Sequence, residues 1–169
     1  AEDPSGCDSR EQRIARCNDV VRALLTRHGP YDLVYERYSL FAYAAMEFAR
    51  NLMIPGVLEV NAPLVEEQRR YRRLENVELA EQLTRRGMIA AGAVVAVSEQ
   101  VAAFARRQRI EKEHVYVVPN GVDVTRFERR DFSTGVSESG NFTIGFVGTL
   151  KPWHGVASLI DALVILIAR

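Results

Sequence analysis

The stretch AGAVVAVSEQVAAFARR at residues 91–107, followed after a short charged segment by VYVVPNGVDVTRF at residues 115–127, decides the fold. AGAVVAVS is a brief, almost uninterrupted apolar run, which reads as a strand buried on both faces. Ser98 and Glu99 then supply a capping residue and a first-turn acid for a helix reaching Gln108. VYVV gives the next strand, and Pro119, Asn120 and Gly121 force a chain reversal in which Asp123 can cap a short helical turn at Thr125. Strand, helix and strand in so few residues leave room for a parallel crossover and little else.

The same grammar extends upstream. From Ser9 to His28, Ile14, Val20, Val21, Leu24 and Leu25 recur at helical spacing, and His28-Gly29-Pro30 is a stop signal. YDLVYER at 31–37 reads as a strand, and Leu40 to Met53 as a helix broken by Ile54-Pro55-Gly56. VLEV at 57–60 is a further strand, Asn61-Ala62-Pro63 a turn, and 64–86 a long polar helix. That helix carries six arginines and five glutamates from Glu66 to Arg86, many three or four apart, so a solvated, ion-paired face is expected. The whole predicts an α/β fold, a Rossmann-like parallel sheet with helices on both faces.

Downstream, ERRDFSTGVSESGN at 128–141 has no apolar periodicity and reads as a linker or exposed loop. FTIGFVG at 142–148 is expected to be a strand, followed by a glycine turn through Gly155 and a helix to Arg169. LVILIA within that helix is apolar all round, so self-association through it is expected if nothing covers it.

Composition narrows the function. The chain has 169 residues, 47% of them apolar, enough for one ordinary α/β core. Its 22 basic and 22 acidic side chains cancel, so no global field favours nucleic acid, and phosphate recognition must be local. Cys7 and Cys17 lack metal-ligand spacing and are expected to be reduced thiols, with no metal site. The polar start and the absence of a run long enough to span a bilayer make the cytoplasm the expected location.

The glycine turn GFVGTLKPWHGV at 145–156 could seat a diphosphate on the amides at a helix start, beside Lys151 and His154. Conformational need alone would also explain its glycines. VPNGVDVTRF resembles the crossing between the two Rossmann-like domains of family 4 glycosyltransferases, and its flanks extend the likeness. AGAVVAVSEQVAAFARR resembles the strand, serine and helix before that crossing, and GNFTIGFVGTLKPWHGVASLIDAL the first strand and helix of the nucleotide-sugar domain.

The resemblance implies a GT-B enzyme that needs no metal or other cofactor and transfers a sugar, with retention, from a UDP- or GDP-sugar to a glycan, a lipid-linked or a small-molecule acceptor. A lipid-linked acceptor would add peripheral contact at the inner face of the membrane. The implied organisation is the later half of an acceptor-side domain at 1–127, a linker at 128–141, and the first strand and helix of the donor domain at 142–169. Since the family's opening glycine-rich loop and its later acidic motif are missing, an internal fragment inactive on its own is expected.

By position, Gly148, Thr149 and Gly155 fall near the donor pyrophosphate. The family usually has arginine where this chain has Thr149 and lysine where it has His154, so the cationic task would shift to Lys151 and His154. Asn61 stands where the family commonly has a histidine facing the transferred sugar. An amide can orient or polarise a hydroxyl but cannot take a proton near neutral pH. Arg37 and Glu59, at C-terminal strand ends, are candidates for acceptor contact. Competing readings are a non-catalytic Rossmann-like module that binds nucleotide or protein, and a phosphorylase- or epimerase-like GT-B relative.

Overall fold

The computed structural model describes residues 9–108, 112–127 and 143–168, which fall into two compact units divided after Asn120. The expected linker at 128–141 and Cys7 lie outside the described residues.

The first unit runs α1 (Arg10–His28), β1 (Val34–Arg37), α2 (Ala44–Asn51), β2 (Gly56–Val60), α3 (Leu64–Tyr71), α4 (Val77–Ala90), β3 (Ala93–Ala96), α5 (Glu99–Gln108) and β4 (Val115–Val117). The four strands form one parallel sheet in the order β1-β2-β3-β4. It is the Rossmann-like α/β architecture expected of a GT-B domain.

That order has a consequence for layering. Each connection steps one strand in the same direction, and right-handed crossovers then put every connecting helix on one face. Accordingly Val34, Leu58, Val60, Val94, Ala96 and Val115 all enter the core with Met46 and Ala49 of α2, Met88 of α4 and Phe104 of α5. Met46, Met88, Val60 and Val94 are wholly buried, and burial of each is worth about 1.5–3 kcal/mol. The opposite face carries Tyr35, Arg37, Val57, Glu59, Ala93, Val95 and Tyr116, all partly or largely exposed. The expectation of helices on both faces is therefore met on one face only among the described residues.

The long helix expected over 64–86 is two helices. α3 ends at Tyr71 and α4 begins at Val77, with Asn76 capping it by accepting from the Leu79 amide at 2.9 Å. Glu11, buried on α1, accepts from the amides of Glu75 at 2.8 Å and Asn76 at 2.7 Å, so a distant carboxylate fixes the break. α1 itself turns Glu11 and Asn18 inward, while Val20, Val21 and Leu24 stay exposed and Leu25 packs against the core.

The second unit contains a 3-10 turn at Pro152–His154 and α6 (Val156–Ile167). The strand expected at 142–148 does not form within the described residues 143–148, which are paired to no neighbour; an apolar run needs a ladder to become a strand. All of α6 except Val156 is exposed, including Ile160, Val164, Ile165 and Leu166. Among the described residues no helix is long and apolar enough to cross a membrane.

Candidate functional site

Arg37 ends β1, Glu59 lies one residue from the end of β2 and Asn61 just beyond it, so the parallel ladder brings all three to the C-terminal edge of the sheet, where open α/β sheets bind ligands. Register makes Arg37 and Glu59 direct neighbours. A fourth residue, not singled out from the sequence, joins them. The Tyr35 hydroxyl donates to Glu59 Oε2 at 2.6 Å, a diagonal contact across the β1–β2 pair. Asn61 Nδ2 donates to Glu59 Oε1 at 2.8 Å, so each carboxylate oxygen has its own donor.

The electrostatics follow from those contacts. The Tyr35 hydroxyl, then the Asn61 amide, and with them the charge of Arg37, hold the Glu59 carboxyl below its ordinary range and keep it ionised. The same hydrogen bond pushes the Tyr35 phenol up. Because Asn61 Nδ2 faces Glu59, the amide orientation is set, and Asn61 Oδ1 is left buried without a hydrogen-bond partner. An unpartnered buried carbonyl costs about 1–3 kcal/mol. Strain of this kind collects where local structure serves a site and not the core.

The loop after β1 is built with care. Phe41, only 2% exposed, has φ 69°, a left-handed conformation that costs a bulky residue about 1–3 kcal/mol. Asn18 holds it there: Nδ2 donates to the Phe41 carbonyl at 2.8 Å and to Ala15 at 2.7 Å, while Oδ1 accepts from the amides of Tyr43 and Ala44, both at 2.9 Å. The first amides of α2 are thus taken by protein. Beneath the loop Tyr38 shares a 2.8 Å hydrogen bond with Thr84, and burial pushes its phenol up to about 12.

The residues expected at a donor phosphate lie in the second unit. Gly148 (φ 152°) and Gly155 (φ 66°) adopt backbone conformations that favour glycine, and Gly155 opens α6. His154 Nδ1 lies 2.7 Å from the Thr149 carbonyl, which can only accept, so Nδ1 carries the hydrogen. With Nδ1 as the donor, Nε2 of the neutral ring is an acceptor. Lys151 is exposed at the head of the 3-10 turn. Thr149, Lys151, His154 and Gly155 therefore share one turn, while Arg37, Glu59 and Asn61 share the sheet edge of the other unit.

Among the described residues no group of three or more histidine, cysteine, aspartate or glutamate side chains is placed to hold a metal ion. Cys17 is a free, exposed thiol.

Residues 4–126 match the family model of Glycosyltransferase Family 4, well over half the chain. The chain belongs to that family. It is glycosyltransferase in kind, and the matched stretch takes in the four strands and the Tyr35, Arg37, Glu59 and Asn61 cluster of this family 4 sheet. No curated protein matches it.

Proposed function

We propose that this family 4 chain serves sugar transfer from a nucleotide-diphosphate sugar, with retention of anomeric configuration. In this reading the sheet edge with Tyr35, Arg37, Glu59 and Asn61 receives the acceptor, and the turn from Gly148 to Gly155 receives the donor diphosphate. The observation that carries it is the ionised Glu59 carboxylate, held from both sides beside Arg37 at the C-terminal ends of parallel strands.

The chemistry fits an acceptor site. A carboxylate whose oxygens each retain a lone pair can accept from sugar hydroxyls, and a guanidinium can donate to them. Asn61 cannot act as a base, so its contribution is orientation, and any proton leaving the acceptor hydroxyl goes elsewhere. On the donor side, the glycine turn lets backbone amides approach a pyrophosphate, with the Lys151 and His154 side chains beside it. Turnover by these 169 residues alone is not expected, because the described residues after Asn120 form no sheet on which a nucleotide could rest.

The experiment is transfer by the natural-length gene product, with UDP- and GDP-sugars supplied to a panel of glycan and lipid-linked acceptors. Proton NMR of the product reads the anomeric configuration. Nucleoside diphosphate release with a retained anomer supports the reading; an inverted product, or phosphate-dependent cleavage without nucleotide sugar, contradicts it.

A further inference from the structure

The Tyr35 hydroxyl and the Asn61 amide converge as donors on the Glu59 carboxylate. Tyr35 donates to one carboxylate oxygen at 2.6 Å, Asn61 donates to the other at 2.8 Å, and neither donor could be replaced by an acceptor without repelling the ionised carboxylate. The two donors come from opposite ends, one from the strand beside Glu59 and one from just beyond the end of β2, so together they fix the rotation of the carboxylate plane. Tyr35 remains 58% exposed, which is costly to explain as core packing and easy to explain as a group held at an open surface.

We propose that Tyr35 is a positioning residue of this site, pinning Glu59 together with Asn61 so that the remaining carboxylate lone pairs, on the open sheet face beside Arg37, receive the hydroxyls of a neutral polyhydroxylated acceptor. The proposal rests on the acceptor-side reading above and deepens it. Neutrality follows from charge balance. The opposite charges of the register neighbours Glu59 and Arg37 cancel, so neither an anion nor a cation gains net attraction, whereas a polyol donates to the first and accepts from the second. Tyr35 itself makes no contact with the acceptor; it acts by removing rotational freedom from Glu59 before binding, which lowers the ordering cost of the complex.

The test uses this chain with selectively labelled glutamate, comparing native protein with Tyr35→Phe and Tyr116→Phe. Tyr116 is the control, since it is an exposed tyrosine on the same sheet face, on β4, two strands from β2. Carbon NMR follows the Glu59 carboxyl through acid titration, and shift changes on adding methyl α-D-glucopyranoside or the anionic methyl glucuronide report binding. The proposal expects the Glu59 midpoint to rise in Tyr35→Phe and stay in place in Tyr116→Phe. It also expects the neutral glycoside to bind about tenfold more weakly to Tyr35→Phe, as for loss of one hydrogen bond to a charged group, and the glucuronide to bind native protein less well than the neutral probe.

An unmoved midpoint in Tyr35→Phe overturns the positioning role, as does unchanged affinity for the neutral probe. A shifted midpoint with no glycoside binding to native protein overturns the acceptor-side reading and leaves the Tyr35 clamp standing. Preference for the glucuronide overturns the neutral-ligand claim.

Discussion

Asn18 on α1 donates from Nδ2 to the backbone carbonyl of Phe41 at 2.8 Å, tying the first helix of the chain to the left-handed residue that shapes the loop after β1. All four hydrogen-bonding positions of that buried amide are used, two as donor and two as acceptor. Asn18→Ala should therefore cost about 2–4 kcal/mol in urea unfolding, since it removes the partner of the Tyr43 and Ala44 amides and of the Phe41 carbonyl. Asn18→Asp should be at least as damaging, because a carboxylate oxygen would replace Nδ2 facing the carbonyls of Ala15 and Phe41. An aspartate variant as stable as native would show that the network contributes little.

Gly87 gives an opposite-signed test of helix propensity. Glycine within a helix normally costs about 0.5–1 kcal/mol against alanine. A Cβ at Gly87 of α4, however, would sit 3.0 Å from the Ala42 carbonyl oxygen, in the loop that leads to the site. Gly87→Ala should destabilise by about 1–2 kcal/mol in spite of its better propensity, as read from the midpoint of denaturant unfolding.

Two carboxylates on neighbouring strands should bend the pH profile in opposite senses. The Glu59 carboxyl is held down by Tyr35 and Asn61, so its contribution to stability is present above its ordinary value of 4.5 and is lost as pH falls through the lower folded value. Burial pushes Glu36 up, so its contribution favours the fold below 4.5 and is lost as pH rises through the higher folded value. Glu36→Gln should raise Tm near neutral pH, with the gain vanishing in acid. Glu59→Gln should lower Tm near neutral pH, with the loss fading in acid. Thermal melts between about pH 3 and about pH 7 check both signs.

Much of this was legible because the strand code is local. VYER, VLEV and AVVA read as strands from their apolar runs, and the stop at His28-Gly29-Pro30 and the Asp123 cap on Thr125 both appear in the structure. The break between α3 and α4 was not legible, because 72–76 contains neither glycine nor proline and the carboxylate that fixes it, Glu11, is more than sixty residues away. Tyr35 was missed for a related reason. A tyrosine in a strand looks like packing until register sets it diagonal to Glu59, and register is a property of two strands. The bare sheet face likewise follows from strand order, which no single segment contains.

α6 presents Ile160, Val164, Ile165, Leu166 and Ile167 to solvent, with Asp161 as its one charge among residues 156–167. An exposed apolar helix of that kind drives association. Sedimentation of this chain should show mass rising with concentration, and Ile160→Lys combined with Val164→Lys should abolish the rise. A native chain that remains monomeric at high concentration contradicts this.

In the proposed function, family 4 sugar transfer uses a nucleotide-sugar donor at the turn from Gly148 to Gly155. Calorimetric titration tests it most directly, with UDP, GDP and their sugars added to the natural-length gene product, its Lys151→Ala variant and its Asn61→His variant. Saturable binding to the native protein, weakened in Lys151→Ala and unchanged in Asn61→His, is the predicted result. Binding weakened by Asn61→His and untouched by Lys151→Ala, or no nucleotide binding at all, would contradict it.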